Sequence, residues 1–270
     1  MFSLVFSSAK VYLSPRGELS ESALLIRAHK KRAYLFLFRR LEIYKRIIWV
    51  ASAEKERAEI LRLFDADSVN VHVLRNFPDN ELPKLKLVRQ ASVGSLDLVW
   101  LARISPMKNI CFLIHVFRHV SVDVSLTIYG PIEDESYWAE FVQLKEQLPA
   151  NVSIIYEGML QPEQVASTLA DYDAYILPTK GENYGHTIVE AMSVGLPVII
   201  SDKTPWRSLE DKGIGFDLSL DDPEKFSAAI HKLAMLNVDQ RNGMRRMVYD
   251  FVKNEIGGDS NRDYAAGLFG

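Results

Sequence analysis

The chain is poor in cysteine. Its 270 residues contain one, Cys111. No intrachain disulfide can form, and a reducing, cytoplasmic compartment is the expected location. Long apolar runs are also missing. The longest near the start is Ala33 to Phe38, far below the roughly 18 residues that read as a bilayer span. The opening Met1-Phe-Ser-Leu-Val-Phe has no basic segment ahead of an apolar one, so it does not read as a signal peptide. There is no internal repeat, no low-complexity stretch and no G-x-G-x-x-G. The last absence argues against a dinucleotide-binding dehydrogenase. His115 and His119 lie four apart without an H-E-x-x-H or any other ligand set, and no metal site is expected. A net charge of −3 gives the whole chain no pull towards nucleic acid, which is not an expected partner.

What is present is ordinary in bulk. Hydrophobic residues make up 48% and charged residues 25%, as in soluble globular proteins. The length allows one to two domains with a sizeable core. One stretch departs from the average. Residues 27–46 hold eight cations and one acid, Glu42, interleaved with Tyr34, Leu35, Phe36, Leu37, Phe38 and Leu41. Two readings stand side by side. The helix lies peripherally on an anionic membrane, at its inner face, or it buries one side in a core and leaves a basic side in water.

Along the chain, Val11–Leu13 reads as a strand, followed by a helix capped by Ser20 or Ser22 and running to about Lys45. Ile47–Ala51 is a buried-type strand, Ser52 and Glu56 form a capping pattern for a helix over 53–64, and residues 69–74 alternate as a strand. Pro78, Pro83 and Gly94 mark a linker. After it, short apolar strands (96–102, 124–129, 152–156, 174–177, 197–200, 215–218) alternate with helices (108–119, 135–147, 162–170, 185–193, 205–211, 223–236). A last helix covers 239–253. This alternation predicts a parallel sheet covered on both faces, a doubly wound Rossmann-like α/β domain. Ligands of such sheets bind at the carboxyl ends of the strands.

Chemistry is therefore sought in the loops that follow strands. After Leu177 comes Pro178-Thr-Lys-Gly-Glu182-Asn-Tyr-Gly185-His-Thr-Ile-Val-Glu190. Its glycines allow close backbone approach, and the helix that follows offers free amides to an anionic or hydroxyl-rich ligand. Glu182 and Glu190 suit paired sugar hydroxyls, since each carboxylate oxygen accepts hydrogen bonds. Solvated glutamates are the plain alternative. After Ala102, Arg103 and Lys108 sit at another strand end. Together they read as a diphosphate site, with Arg103 as a bidentate clamp and Lys108 as a point charge. Gly130 and Gly158 end two more strands and allow backbone contact with a flat base.

Four segments carry a resemblance. They are Ala102-Arg-Ile-Ser-Pro-Met-Lys108, Ile128-Tyr-Gly-Pro-Ile-Glu-Asp134, Pro178 through Ala191, and Gly195-Leu-Pro-Val-Ile-Ile-Ser-Asp-Lys-Thr-Pro-Trp-Arg207. In this order they resemble the retaining, nucleotide-sugar-dependent glycosyltransferases of family 4 (glycosyl transferases group 1), over roughly residues 95–254. Glu182 and Glu190 match the family's E-x7-E motif. The resemblance implies a GT-B fold. Residues 1–90 would be part of an N-terminal acceptor-side domain, 91–238 a complete nucleotide-sugar-binding domain, 239–257 a helix crossing back to the first domain, and 258–270 a tail.

It also implies the roles. Arg103 and Lys108 hold the donor diphosphate and, with Glu182, form the catalytic set. Gly130, Glu157, Gly158, Asn183, Tyr184, Gly185, His186, Thr187 and Glu190 bind the donor, Glu190 through the ribose. No cofactor and no metal are implied. The partners are a nucleoside-diphosphate sugar and a glycan or glycolipid acceptor, in polysaccharide or glycolipid synthesis. The residues before the linker resemble only the last part of the family's acceptor domain. The family's glycine-rich loop and its histidine near the reacting carbon have no counterpart, and His29 and His72 lack the context to replace them. The expectation is a chain that starts inside a longer protein or needs a partner over its exposed strand edge. An inactive donor-binding module is the second reading. A GT-B epimerase is the third, disfavoured by the E-x7-E loop and by Thr204-Pro-Trp-Arg207.

Overall fold

The structure is a computed structural model that describes residues 10–19, 24, 28–65, 69–74, 82–88, 90 and 92–256. The Ser20 or Ser22 cap, Pro78 of the linker and the 258–270 tail lie outside the described residues. The chain divides into two compact units, one within residues 1–77 together with 259–270 and one within 78–258.

In the first unit, β1 (Val11–Leu13), β2 (Ile47–Ala51) and β3 (Asn70–Val73) form a parallel sheet in the order β1-β2-β3. Helix α1 (Ala28–Arg40) precedes β2, and α2 (Glu54–Leu63) joins β2 to β3. Trp49, Phe38, Tyr44 and Phe64 fill the core. The Trp49 and Phe64 rings lie 5.0 Å apart and Tyr44 stacks on Phe64 at 5.1 Å.

Two expectations are corrected here. The first helix stops at Arg40 rather than near Lys45. Glu42 adopts a left-handed conformation (φ 51°) and a 3-10 turn, Ile43–Arg46, follows. That turn brings Ile43 and Tyr44 into the core beside Phe38, whereas in a continuing α-helix, five and six residues on, they would point well away from the Phe38 face. Ser52 does not cap α2. Its amide and hydroxyl both donate to the Glu56 carboxylate at 2.7 Å, and the Gly17 amide donates to the same group at 2.6 Å. Glu56 is thus a buried acceptor that ties the loop after β1 to the end of β2.

In the second unit, β4 (Ser95–Leu101), β5 (Asp123–Tyr129), β6 (Val152–Tyr156), β7 (Ala174–Leu177), β8 (Val198–Ser201) and β9 (Gly215–Leu218) form a fully parallel sheet ordered β6-β5-β4-β7-β8-β9. The chain winds outward from β4 through β5 to β6, then returns to β7 on the other side of β4. The strand order reverses between β4 and β7, where doubly wound sheets open a crevice. The doubly wound expectation is met. The helices are α3 (Phe112–Phe117), α4 (Glu135–Lys145), α5 (Pro162–Leu169), α6 (His186–Ser193), α7 (Pro223–Ala234) and α8 (Val238–Phe251). Asp134, Asp222 and Asn237 cap α4, α7 and α8 by accepting backbone amides.

Three boundaries differ from the sequence reading. The helix expected over 108–119 begins at Phe112, because Asn109 is left-handed (φ 62°). Residues 205–211 form turns, not a helix. There the Asp217 carboxylate takes the amides of Ser208 and Leu209, and Ser208 is left-handed. Finally, segment 82–88, read as linker, is hydrogen-bonded to α8. Val88 exchanges two bonds with the Asn242 amide group (2.8 and 2.9 Å), and Arg245 donates to the Lys86 carbonyl.

Candidate functional site

The loops after β4 and β7 lie on either side of the strand-order reversal. Buried apolar strands hold their bases. Trp100, Tyr175, Ile176 and Leu177 are fully buried. The Tyr175 hydroxyl bonds to the Leu101 carbonyl (3.1 Å) and to the Thr187 hydroxyl (2.8 Å). It thereby ties the end of β4, strand β7 and the first turn of α6 together.

The loop after β4 carries Arg103 and Lys108, and the structure separates their partners. An isolated parallel bridge, Ile104 to Ile132, joins the loops after β4 and β5. It brings Glu133 beside Arg103, and the two pair at 2.6 Å with both side chains well exposed. Lys108 instead pairs with Glu182 of the loop after β7. Their side chains are only 15% and 12% exposed, so water screens this contact weakly. Backbone bonds hold the two loops together. The Met107 carbonyl accepts from the Lys180 amide (2.8 Å) and the Thr179 hydroxyl (3.2 Å), and Asn109 donates to the Pro178 carbonyl (3.1 Å).

The loop after β7 enters α6 through Gly185 (φ 79°), a left-handed position that suits glycine. A Cβ there would sit 2.7 Å from the Ile188 side chain. The amides of the first helical turn have no intrahelical acceptor and carry the positive end of the helix dipole. Tyr184 is buried, packs on Trp206 and His186, and gives its carbonyl to the Trp206 indole N–H (2.6 Å). His186 is exposed and Asn183 half-buried. Glu190 lies one turn into α6, half-buried; its carbonyl accepts from the Ser193 hydroxyl (2.7 Å), while its carboxylate makes no hydrogen bond or ion pair with another described residue. Burial raises its pKa above the ordinary carboxylate value.

The loops after β5 and β6 meet at two glycines. Gly130 (φ 135°) donates its amide to the Gly158 carbonyl at 2.7 Å and accepts from the Tyr156 hydroxyl at 2.9 Å. A Cβ on Gly130 would lie 1.9 Å from the Ala102 carbonyl oxygen, so only glycine fits between the strand ends. Glu157 is exposed.

The structure therefore gathers Arg103, Lys108, Glu182, Gly185 and the start of α6 at the reversal, with Gly130 and Gly158 at the neighbouring strand ends. Sequence reasoning missed Glu133 as the partner of Arg103, Tyr175 as the bolt on Thr187, and Trp206 as the support of Tyr184. Glu133 and Trp206 were visible inside the quoted segments, but no spacing rule pairs them with their contacts. Among the described residues, no group of three or more His, Cys, Asp or Glu side chains could hold a metal ion.

The model of the family described as glycosyl transferases group 1 matches residues 70–249. The putative glycosyltransferase EpsF of Bacillus subtilis (strain 168) is 25% identical over 205 residues, covering 72% of this chain and 52% of that protein. The O-antigen chain mannosyltransferase B of Escherichia coli is 28% identical over 163 residues, 55% of this chain and 41% of that protein. The chain thus spans about half the length of the curated relatives it matches. Among solved structures, Anabaena Alr3699/HepE in complex with UDP and glucose superposes with a TM-score of 0.74 at 15% identity, covering 96% of this chain and 71% of that one. At this identity the likeness is one of fold.

Proposed function

This chain belongs to the glycosyl transferases group 1 family, and from that premise we propose that it transfers a sugar from a nucleoside-diphosphate sugar to an acceptor hydroxyl with retention at the anomeric carbon. The observation that carries the reading is the Lys108–Glu182 pair across the strand-order reversal, beside the open amides of α6. A donor offers each member a new partner. Diphosphate oxygens accept from the Lys108 ammonium, and sugar hydroxyls donate to the Glu182 carboxylate.

Transfer breaks the bond between the anomeric carbon and the diphosphate oxygen and forms one from that carbon to the acceptor oxygen, whose proton leaves with the diphosphate. Negative charge grows on the leaving diphosphate and positive charge on the sugar ring. Arg103, Lys108 and the N-terminus of α6 meet the first, each preorganised donor contributing about 3 kcal/mol. Glu182 lies on the sugar side. Glu190 accepts the ribose hydroxyls, and the close backbone at Gly130 and Gly158 leaves room for a flat base. Asn183, Tyr184, His186 and Thr187 line the loop around the sugar. Retention requires the acceptor oxygen to approach the face that the diphosphate leaves. The UDP and glucose bound to HepE support a donor of this class. The O-antigen activity named for the Escherichia coli relative supports a polysaccharide or glycolipid product.

A thermal-shift screen with UDP, GDP and ADP sugars tests donor binding. A ligand at a hundred times its Kd stabilises the native state by about 2.7 kcal/mol. No shift with any of the three rejects the donor site. Where a donor binds, the anomeric configuration of the product, read by NMR, tests retention. Arg103→Ala or Lys108→Ala should cut turnover by a factor of about a hundred or more. The half-length match to the relatives favours one second reading, a donor-binding unit without transfer of its own. Donor binding with neither transfer nor donor hydrolysis would select it.

A further inference from the structure

Helix α1 has apolar residues on two opposite sides. Phe38 and Leu35 face the core of the first unit, where Phe38 meets Trp49 and Phe64 at 6.2 and 5.9 Å. That contact satisfies the helix's need to bury one stripe. Lys30, Ala33, Phe36, Leu37 and Arg40 recur at three- and four-residue spacing on the other side. Phe36 is 71% exposed and Leu37 46%, and Leu41, in the turn that follows, is 50% exposed. Single exposed apolar residues need no explanation, but a row of them marks an interaction surface.

The charges around the row say what it meets. Lys30, Arg32 and Arg40 are exposed and make no ion pair or hydrogen bond with another described residue. Glu42 is the one acid between Ala28 and Arg46, and it is paired with Lys45. A protein partner that covered the apolar row would bury or crowd these cations. An anionic lipid surface takes the apolar side chains below its headgroups and leaves the cations at headgroup level. Among the described residues, no helix is long and apolar enough to cross a membrane, so the contact is one of lying on the surface.

We propose that the outward face of α1, led by Phe36 and Leu37 and flanked by Lys30, Arg32 and Arg40, docks the chain on an anionic lipid bilayer. The proposal is independent of the donor site. It is tested by co-sedimentation of the full chain with vesicles of equal parts phosphatidylglycerol and phosphatidylcholine, against pure phosphatidylcholine. The expected result is binding to the anionic vesicles alone, lost at high salt. Phe36→Asp should abolish it, and the pair Lys30→Glu with Arg40→Glu should weaken it by roughly tenfold or more. Both variants alter exposed side chains, so circular dichroism and nucleotide affinity should remain as in the unaltered chain. Equal binding to both vesicle types, no binding, or binding by Phe36→Asp at the unaltered level overturns the proposal. So does a lipid-free dimer that Phe36→Asp dissolves, since a second copy would then be the occupant.

Discussion

Breaking the Lys108–Glu182 pair should separate the stability of the site from its function. Lys108→Met leaves the Glu182 carboxylate, 12% exposed, without its cation. Glu182→Gln leaves the Lys108 ammonium, 15% exposed, without its anion. Removing one member of a fully buried pair costs about 3–5 kcal/mol. The residual exposure of both side chains allows some rehydration, so about 2 kcal/mol is expected for each single change. In a unit of this size that lowers Tm by roughly 4–8 °C. The double variant removes both charges and leaves neither stranded. It should recover most of the loss, a coupling of about 1.5 kcal/mol or more in a double-mutant cycle. Function should follow a different pattern. Each charge-assisted bond to the donor contributes roughly 1.5–3 kcal/mol. All three variants should therefore bind the nucleotide sugar at least about tenfold more weakly by calorimetry. Single losses that simply add in the double variant would refute the pairing. Donor affinity retained by the restored double variant would refute the roles of both residues.

Three further outcomes follow from the same geometry. Gly130→Ala must place a methyl 1.9 Å from the Ala102 carbonyl at φ 135°, so a loss of about 2–5 kcal/mol is expected in urea unfolding; an unchanged midpoint would contradict the close strand-end packing. Glu190 has its folded pKa raised above 4.5 by burial. The native state then holds more protons than the unfolded state between 4.5 and the raised value, so stability falls as pH rises through that window. Glu190→Gln should remove this slope, raise Tm at neutral pH and still weaken nucleotide binding; a pH slope identical in both proteins would exclude Glu190 as its source. Trp206→Phe removes the indole donor from the Tyr184 carbonyl, at about 1 kcal/mol, and should raise the donor KM several-fold with a smaller change in kcat. An unaltered KM would mean that the loop holds without it.

The parallel sheet was legible because its strands are short apolar runs between helices; the caps Asp134, Asp222 and Asn237 stand just before three of those helices. The failures arose where a side chain captured a backbone group, or a left-handed residue turned the chain, against the local pattern. Ser52 and Glu56, four apart, read only roughly as a capping pair, yet the helix starts after Ala53 and both Ser52 donors turn to the carboxylate. Residues 205–211 have a helical look, but Asp217 captures two of their amides. Glu42 breaks a periodic run by turning left-handed, and the 3-10 turn after it carries Ile43 and Tyr44 into the core. At the site, the residues were legible and the pairs were not. Arg103 and Lys108 are five apart and read as one cluster, whereas the first meets Glu133 through the Ile104–Ile132 bridge and the second meets Glu182, 74 residues away. Such pairs depend on sheet order, which spacing along the chain does not encode.

Sheet order also explains why the candidate site holds together as a unit. The rim runs β6, β5, β4, β7, β8, and each loop is bonded to its neighbour in that sequence. Gly130 donates to Gly158, Ile104 bridges Ile132, Lys180 donates to Met107, and the Glu182 amide donates to the Lys203 carbonyl. Trp206 adds a second link between the last two loops. Five loops thus share one hydrogen-bonded edge, and the catalytic candidates are fixed to it before any ligand arrives. Preorganisation of this kind is what electrostatic stabilisation of a leaving group requires. Every member of the rim lies within residues 102–206, inside the second unit. Donor binding should therefore depend on that unit alone, while transfer depends also on what delivers the acceptor. A variant such as Phe36→Asp, remote from the rim in sequence, should leave nucleotide affinity untouched even where transfer to a membrane-borne acceptor falls. Loss of nucleotide affinity in that variant would show that the two units are energetically coupled and that the rim is not self-sufficient.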